Sequence, residues 1–145
     1  MASGQHNLTA STILVVDGDA VRRDTVLEAF AAAGFTEVFS ALDRDQAKEL
    51  VSTRAVDAVV YTLTGREELS GTSGSDLLAL GAQAVKRMPL IVACEEGAGL
   101  QVEALAAGAE DYMEYPFEPA VLVHRVGKLI ELDVLHQEVC HENEI

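Results

Sequence analysis

Short apolar runs alternate along this chain with longer stretches whose apolar positions recur every three or four residues, a rhythm that predicts strands and helices in turn. Thr12-Ile13-Leu14-Val15-Val16 is a β-branched run that ends at Asp17-Gly18-Asp19, the profile of a buried parallel strand. Asp19 can cap the helix that follows, where Val26, Leu27, Phe30 and Ala31 form one apolar stripe and Gly34 stops it. Glu37 to Ser40 reads as a second strand. Asp43, with Gln46 three residues later, resembles a capping box, and Ala47, Leu50 and Val51 make the buried face of a second helix.

Ala58-Val59-Val60-Tyr61 is a central strand that runs into Thr62. The polar stretch from Arg66 to Gly74 predicts a loop, and Ser75 to Lys86 a third helix. Pro89 precedes a fourth strand, Leu90 to Cys94, after which Val102, Leu105 and Ala106 mark a fourth helix ending near Gly108. Asp111 to Met113 is a brief fifth strand, broken by Tyr115-Pro116. Pro119 suits the first turn of a last helix, whose Leu122, Val126, Leu129, Ile130, Leu132, Leu135 and Val139 keep helical spacing and carry it past residue 140. Five strands alternating with five helices imply a parallel sheet with right-handed crossovers and helices on both faces.

Composition narrows this picture. At 145 residues the chain is one domain, and with 5% aromatics and no tryptophan its core is built from Val, Leu, Ile and Ala. Residues 1–11 read as a flexible tail, 12–131 as the domain, and 132–145 as an extension of the last helix that could begin a linker or coiled coil. No stretch reaches the roughly 18 apolar residues that span a bilayer, and residues 1–11 lack the basic start and apolar run of a leader, so a cytoplasmic location away from membranes is expected. Cys94 and Cys140 lack metal-ligand spacing, as do His6, His124, His136 and His141, so neither a metal nor a cofactor is expected.

The net charge of −14 opposes direct binding of nucleic acid. Residues 95–145 hold twelve acids against Arg125 and Lys128, a net of −10, whereas residues 1–94 hold twelve against eight basic residues, a net of −4. The asymmetry is consistent with simple solubility or with a basic partner for the C-terminal half.

Over about residues 12–131 the sequence resembles the receiver domains of two-component response regulators. ILVVDGDAVRR is similar to their first strand and acidic turn, DAVVYTL to their third strand, and AAGAEDYMEYPF to their fifth strand and Lys-Pro turn. The resemblance implies a flavodoxin-like, doubly wound five-stranded sheet of order 2-1-3-4-5 with five helices, its functional edge at the C-terminal ends of strands one and three. There, receivers bind Mg²⁺ through carboxylates ending strand one and phosphorylate an Asp ending strand three. A Lys before the Pro neutralises the phosphoryl group, a Ser or Thr ending strand four hydrogen-bonds it, and an aromatic on strand five responds.

Carried over residue by residue, that pocket is degenerate here. Asp17 stands at the first acidic position, but Gly18 replaces the direct metal ligand, and Asp19 is equally explained as a helix cap. Thr62 stands at the phosphoacceptor position, and a neutral hydroxyl cannot form an acyl phosphate. No Asp or Glu lies between Asp57 and Glu67, so a small change of register does not restore one. Tyr115 replaces the Lys, Cys94 replaces the Ser or Thr, and Tyr112 keeps the switch aromatic. Tyr115-Pro116 is a candidate cis peptide, as the Lys-Pro bond of receivers commonly is. The spacing from Thr62 to Gly74 implies an insertion of roughly four residues, either a tolerated surface loop or a remodelled recognition loop.

The expectation is therefore a non-enzymatic pseudo-receiver acting by contact with a protein partner or by dimerisation, through the face formed by the fourth helix, fifth strand and last helix. Val126, Leu129, Leu132, Leu135 and Val139 form a candidate seam, and a covalent output domain beyond residue 145 would suit so long a helix. The alternative is a ligand- or redox-responsive sensor using the pocket around Thr62, Cys94 and Tyr115.

Overall fold

A sheet covered on both faces needs strands that are apolar at every position, and the central strands here have that character. In a computed structural model of the chain, the described residues are 8–63, 89–97, 99–106 and 108–143. They form β1 (Thr12–Val16), α1 (Ala20–Ala32), β2 (Glu37–Ala41), α2 (Arg44–Thr53), β3 (Ala58–Thr62), β4 (Leu90–Glu95), α3 (Gln101–Ala106), β5 (Asp111–Tyr115) and α4 (Pro119–Asn143). The strands are all parallel in the order β2-β1-β3-β4-β5, the doubly wound flavodoxin-like arrangement. The loop expected over residues 66–74, the helix over 75–86 and the inserted residues lie outside the described residues.

Alternation along each strand divides the interior into two cores. Leu14, Val16, Val59, Tyr61, Val92, Cys94 and Tyr112 face α2 and α3, while Ile13, Val15, Val60, Ile91 and Met113 face α1 and α4. Phe30 of α1 is wholly buried in the second core and meets Phe35 edge to face, with ring centroids 5.3 Å apart. Both expected caps form. The Asp19 carboxylate accepts from the Arg22 N–H at 3.0 Å, and the Asp43 carboxylate accepts from the Gln46 N–H at 3.0 Å. The Gln46 side chain returns to accept the Leu42 N–H at 2.8 Å, satisfying a second donor.

Residues 8–11, expected as tail, instead pack against the domain. Leu8–Ala10 form a single 3-10 turn, closed by the Ser11 N–H donating to the Leu8 carbonyl at 3.0 Å. Leu8 packs against the α1/α4 core, and Thr9 fits against Gly34, whose φ of +101° ends α1 in a conformation few other residues adopt. The physical reason is the apolar Leu8 side chain, which finds room over Gly127, where an added Cβ would lie 3.1 Å from it.

Helix α4 runs unbroken from Pro119 to Asn143. Leu122, Val126 and Ile130 are its buried large apolar positions among the described residues, with Gly127 and Asp133 buried beside them. No helix among the described residues is long and apolar enough to cross a membrane.

Candidate functional site

Parallel register brings the C-terminal ends of the strands to one edge. Val16 pairs with Tyr61, Thr62 with Ala93, and Glu95 with Tyr115, so Asp17, Thr62, Cys94 and Tyr115 all arrive there. The turn after β1 is the tightest part of the edge. Its Asp19 N–H donates to Asp17 Oδ1 at 2.9 Å, and the Asp17 N–H donates to the Ala41 carbonyl at 3.0 Å. Gly18 is exposed and places no side chain in the site.

Arg22 occupies the centre of this arrangement, and the sequence reading assigned it no role. Standing in the first turn of α1, its guanidinium donates from Nε to Asp17 Oδ2 at 2.6 Å and from Nη2 to Asp17 Oδ1 at 2.9 Å. Two parallel bonds to one carboxylate are the strong, geometrically specific form of the ion pair. The Asp17 side chain is 1% exposed and Arg22 25%. The same guanidinium lies over the Tyr115 ring, 4.2 Å from its centroid, and Arg23 donates to the Asp17 carbonyl at 3.0 Å. Its bond to Asp17 pushes the Arg22 pKa up, and the Arg22 backbone N–H holds the Asp19 carboxyl below its usual range. The signal in the sequence was an Arg five residues after Asp17, in a chain where an aromatic stands at the position of the expected Lys.

A receiver's Mg²⁺ does not fit this site. Both oxygens of Asp17 are engaged by Arg22, Gly18 offers no carboxylate, and Thr62, buried at the end of β3, offers only a neutral hydroxyl. Among the described residues, the guanidinium stands on Asp17 and lies 4.0 Å from the Asp19 carboxylate.

Cys94 and Tyr112 belong to a second cluster on the α2/α3 side of the sheet. Cys94 Sγ and the Tyr112 hydroxyl are 2.6 Å apart, and that hydroxyl also donates to Glu114 Oε2 at 3.2 Å. Tyr112, at the position where receivers carry their switch aromatic, is thus buried with its hydroxyl held between two partners. Burial pushes the pKa of Cys94 up, burial first and then the Cys94 contact push Tyr112 well up, and burial raises Tyr115 against the opposing charge of Arg22. A raised thiol pKa keeps Cys94 protonated at neutral pH, so its reactivity profile should move to the alkaline side. With Cys140 replaced by serine, Cys94 is expected to react with a thiol reagent near pH 8 more slowly than a free cysteine peptide; an equal or faster rate would contradict the assignment.

Tyr115-Pro116 is cis, as the resemblance suggested. The candidate seam divides. Val126 is fully buried and so closed to a partner, Leu129 is half-buried against the α1/α4 core, and Leu132 is 61% exposed. The helical period turns Val126 toward the sheet and Leu132 away from it. The side chains of Leu135 and Val139 lie outside the described residues. A groove of about 580 Å³ lies between α1 and α4, lined by Ala29, Ala33, Val123 and Gly127 among others, away from the strand ends.

No protein-family model matches the chain. The chain is 31% identical over 130 residues to the phosphate regulon transcriptional regulatory protein PhoB of Pseudomonas aeruginosa, an overlap covering 85% of this chain and 53% of PhoB. It thus spans about half the length of the curated relatives it matches. The crystal structure of the receiver domain of NtrX from Brucella abortus superposes with a TM-score of 0.69 at 28% identity, covering 82% of this chain and 98% of that domain. The longer NtrX structure superposes with a TM-score of 0.77 at 26% identity, covering 91% of this chain and 29% of that one. Sheet order and these likenesses together place the chain among the receiver domains of response regulators.

Proposed function

We propose that this receiver domain does not take up a phosphoryl group and that it signals through protein contacts, with a partner or a second copy. The observation that carries the reading is the Arg22 guanidinium clamped on Asp17 and stacked on Tyr115. A receiver needs a cation in this pocket when phosphoryl charge arrives, supplied by Mg²⁺ and a Lys. Here a built-in cation already neutralises the surviving carboxylate, and no carboxylate is left at position 62 to be the acceptor. On this reading the domain is not an enzyme, takes no cofactor and does not itself bind nucleic acid.

Helix α4 outruns the domain, and the longer NtrX matches 91% of this chain against 82% for its isolated receiver. That supports a connecting role for residues 132–143, toward an output module or a second copy.

The test is incubation with Mg²⁺ and acetyl phosphate or beryllofluoride, read by intact mass and by amide chemical shifts. Neither a mass increase nor a Mg²⁺-dependent shift is expected. A stable acyl phosphate would overturn the proposal. The redox version of a sensor at this edge has the raised Cys94 pKa against it.

A further inference from the structure

The groove between α1 and α4 takes no part in the function proposed above, and its lining is small where the rest of the helix contact is large. Val26 and Phe30 of α1 share a core with Leu122, Val126 and Ile130 of α4. In the groove, by contrast, α1 contributes Ala29, Ala32 and Ala33, and α4 brings Ala120, Val123 and Gly127. Side chains of that size leave about 580 Å³ open, within the range of small-molecule sites. From Ala120 to Glu131 the lining follows one face of α4 for about 16 Å of its axis. Phe35 and Leu8 add apolar surface, Leu8 lying so close over Gly127 that an added Cβ would be 3.1 Å from it.

The polar side chains of the lining are Thr9, His124, Lys128 and Glu131. His124 and Lys128 stand four residues apart, hence side by side on the helix, and offer a ring N–H and an ammonium. Lys128 lies 4.0 Å from Glu131 with both side chains more than half exposed, an ion pair worth little against a better-placed anion. A second copy would set two concave faces together. The large apolar side chains exposed among the described residues, Val21, Leu42, Val102, Leu105, Val121 and Leu132, all stand outside the groove, so a facing copy has none of them to fill it. Residues 1–7 hold a single large apolar side chain, Met1, among small and polar ones. We infer that the α1/α4 groove binds a small amphipathic anion, an elongated apolar body ending in one carboxylate, with the body along the alanines and the carboxylate at His124 and Lys128.

Dodecanoate below its micellar concentration is the probe, with dodecyltrimethylammonium as the cationic control of equal chain and butyrate as the short one. Binding to the full chain, read by isothermal titration calorimetry, should have a Kd below about 0.1 mM and be at least about tenfold tighter than for either control. Ala32→Leu combined with Ala120→Leu fills the groove from two exposed positions and should weaken dodecanoate about tenfold without lowering Tm. His124→Gln combined with Lys128→Gln should weaken it about tenfold by removing the charge-assisted contacts. Val102→Ser, an exposed apolar change outside the groove, should leave it unchanged.

Absence of binding would overturn the inference outright. Equal binding of the cationic chain, or indifference to the Ala32/Ala120 pair, would overturn it by reducing it to adsorption of a detergent. A concentration-dependent dimer by light scattering that the same pair abolishes would replace it with a second copy. Nuclear Overhauser contacts from residues 1–7 to Val123 in the free chain would replace it with the chain's own N-terminal segment. Each of these leaves the strand-end pocket untouched, whereas phosphoryl uptake would defeat the proposed function and leave this groove as it stands.

Discussion

Arg22→Ala is expected to destabilise the domain by about 3 kcal/mol, the lower end of the cost of stripping one partner from a buried ion pair. The low end applies because Arg22 is 25% exposed while Asp17 is 1% exposed, so water partly replaces the guanidinium but hardly reaches the carboxylate. At this chain length the loss corresponds to a fall in Tm of roughly 10 °C, and urea denaturation measures it directly. Arg22→Lys should recover only part, because one ammonium cannot make two parallel bonds to Asp17 while lying flat on the Tyr115 ring. In an Asp17→Asn background the same Arg22→Ala change should cost about 1 kcal/mol, as an ordinary hydrogen bond does. A cost below about 0.5 kcal/mol in the Asp17 background would rank the pair with exposed salt bridges and would remove the closed pocket from the argument for function.

Thr62→Asp restores the acceptor carboxylate and should still fail to label. Losing one preorganised charge-stabilising group costs about 10²- to 10³-fold in reactions of this kind. Two are missing here, since Gly18 carries no carboxylate for the metal and Tyr115 carries no positive charge. Arg22 does not stand in for them, because its two bonds to Asp17 hold it on that carboxylate. Intact-mass measurement with acetyl phosphate and Mg²⁺ should therefore find under about 1% of the labelling of a phosphorylatable receiver. Efficient Mg²⁺-dependent labelling of this single mutant would show that the pocket retains more of its chemistry than the geometry allows. Combining Thr62→Asp with Gly18→Asp, Tyr115→Lys and Arg22→Ala is the change expected to begin restoring uptake. Among the described residues, a Cβ at position 18 meets only the Leu42 carbonyl oxygen, at an ordinary 3.4 Å, so these neighbours leave room for the side chain.

Much of this molecule was legible in one dimension because the features concerned are local. Strands β1, β3 and β4 are runs of buried apolar residues, and the caps at Asp19 and Asp43 are side-chain-to-backbone bonds spanning three residues. Those patterns depend on short-range geometry and survive without knowledge of the rest of the chain. That Gly18, Thr62 and Tyr115 stand where the resemblance expects two carboxylates and a lysine was equally visible, since residue identity is a fact of sequence. Local patterning was too weak where a residue's neighbours come from elsewhere. Val126 matches an exposed seam by spacing as well as it matches a core stripe, and only the position of the sheet assigned it to the core, with Leu129 half-buried at its border.

By itself, then, the sequence determined the order of elements and the doubly wound sheet they build, because composition and period carry that information, and it showed which residues stand at the C-terminal strand ends. The tertiary structure alone decided what those residues meet there. Arg22 meets Tyr115 across 93 positions of chain, through the parallel pairing of β1 with β3, β3 with β4 and β4 with β5. Likewise Cys94 meets Tyr112, and Arg125 meets Asp111, only once β5 is laid beside β4 and α4 is packed across the sheet. Side-chain partners at such separation are set by register and packing, which no local periodicity encodes.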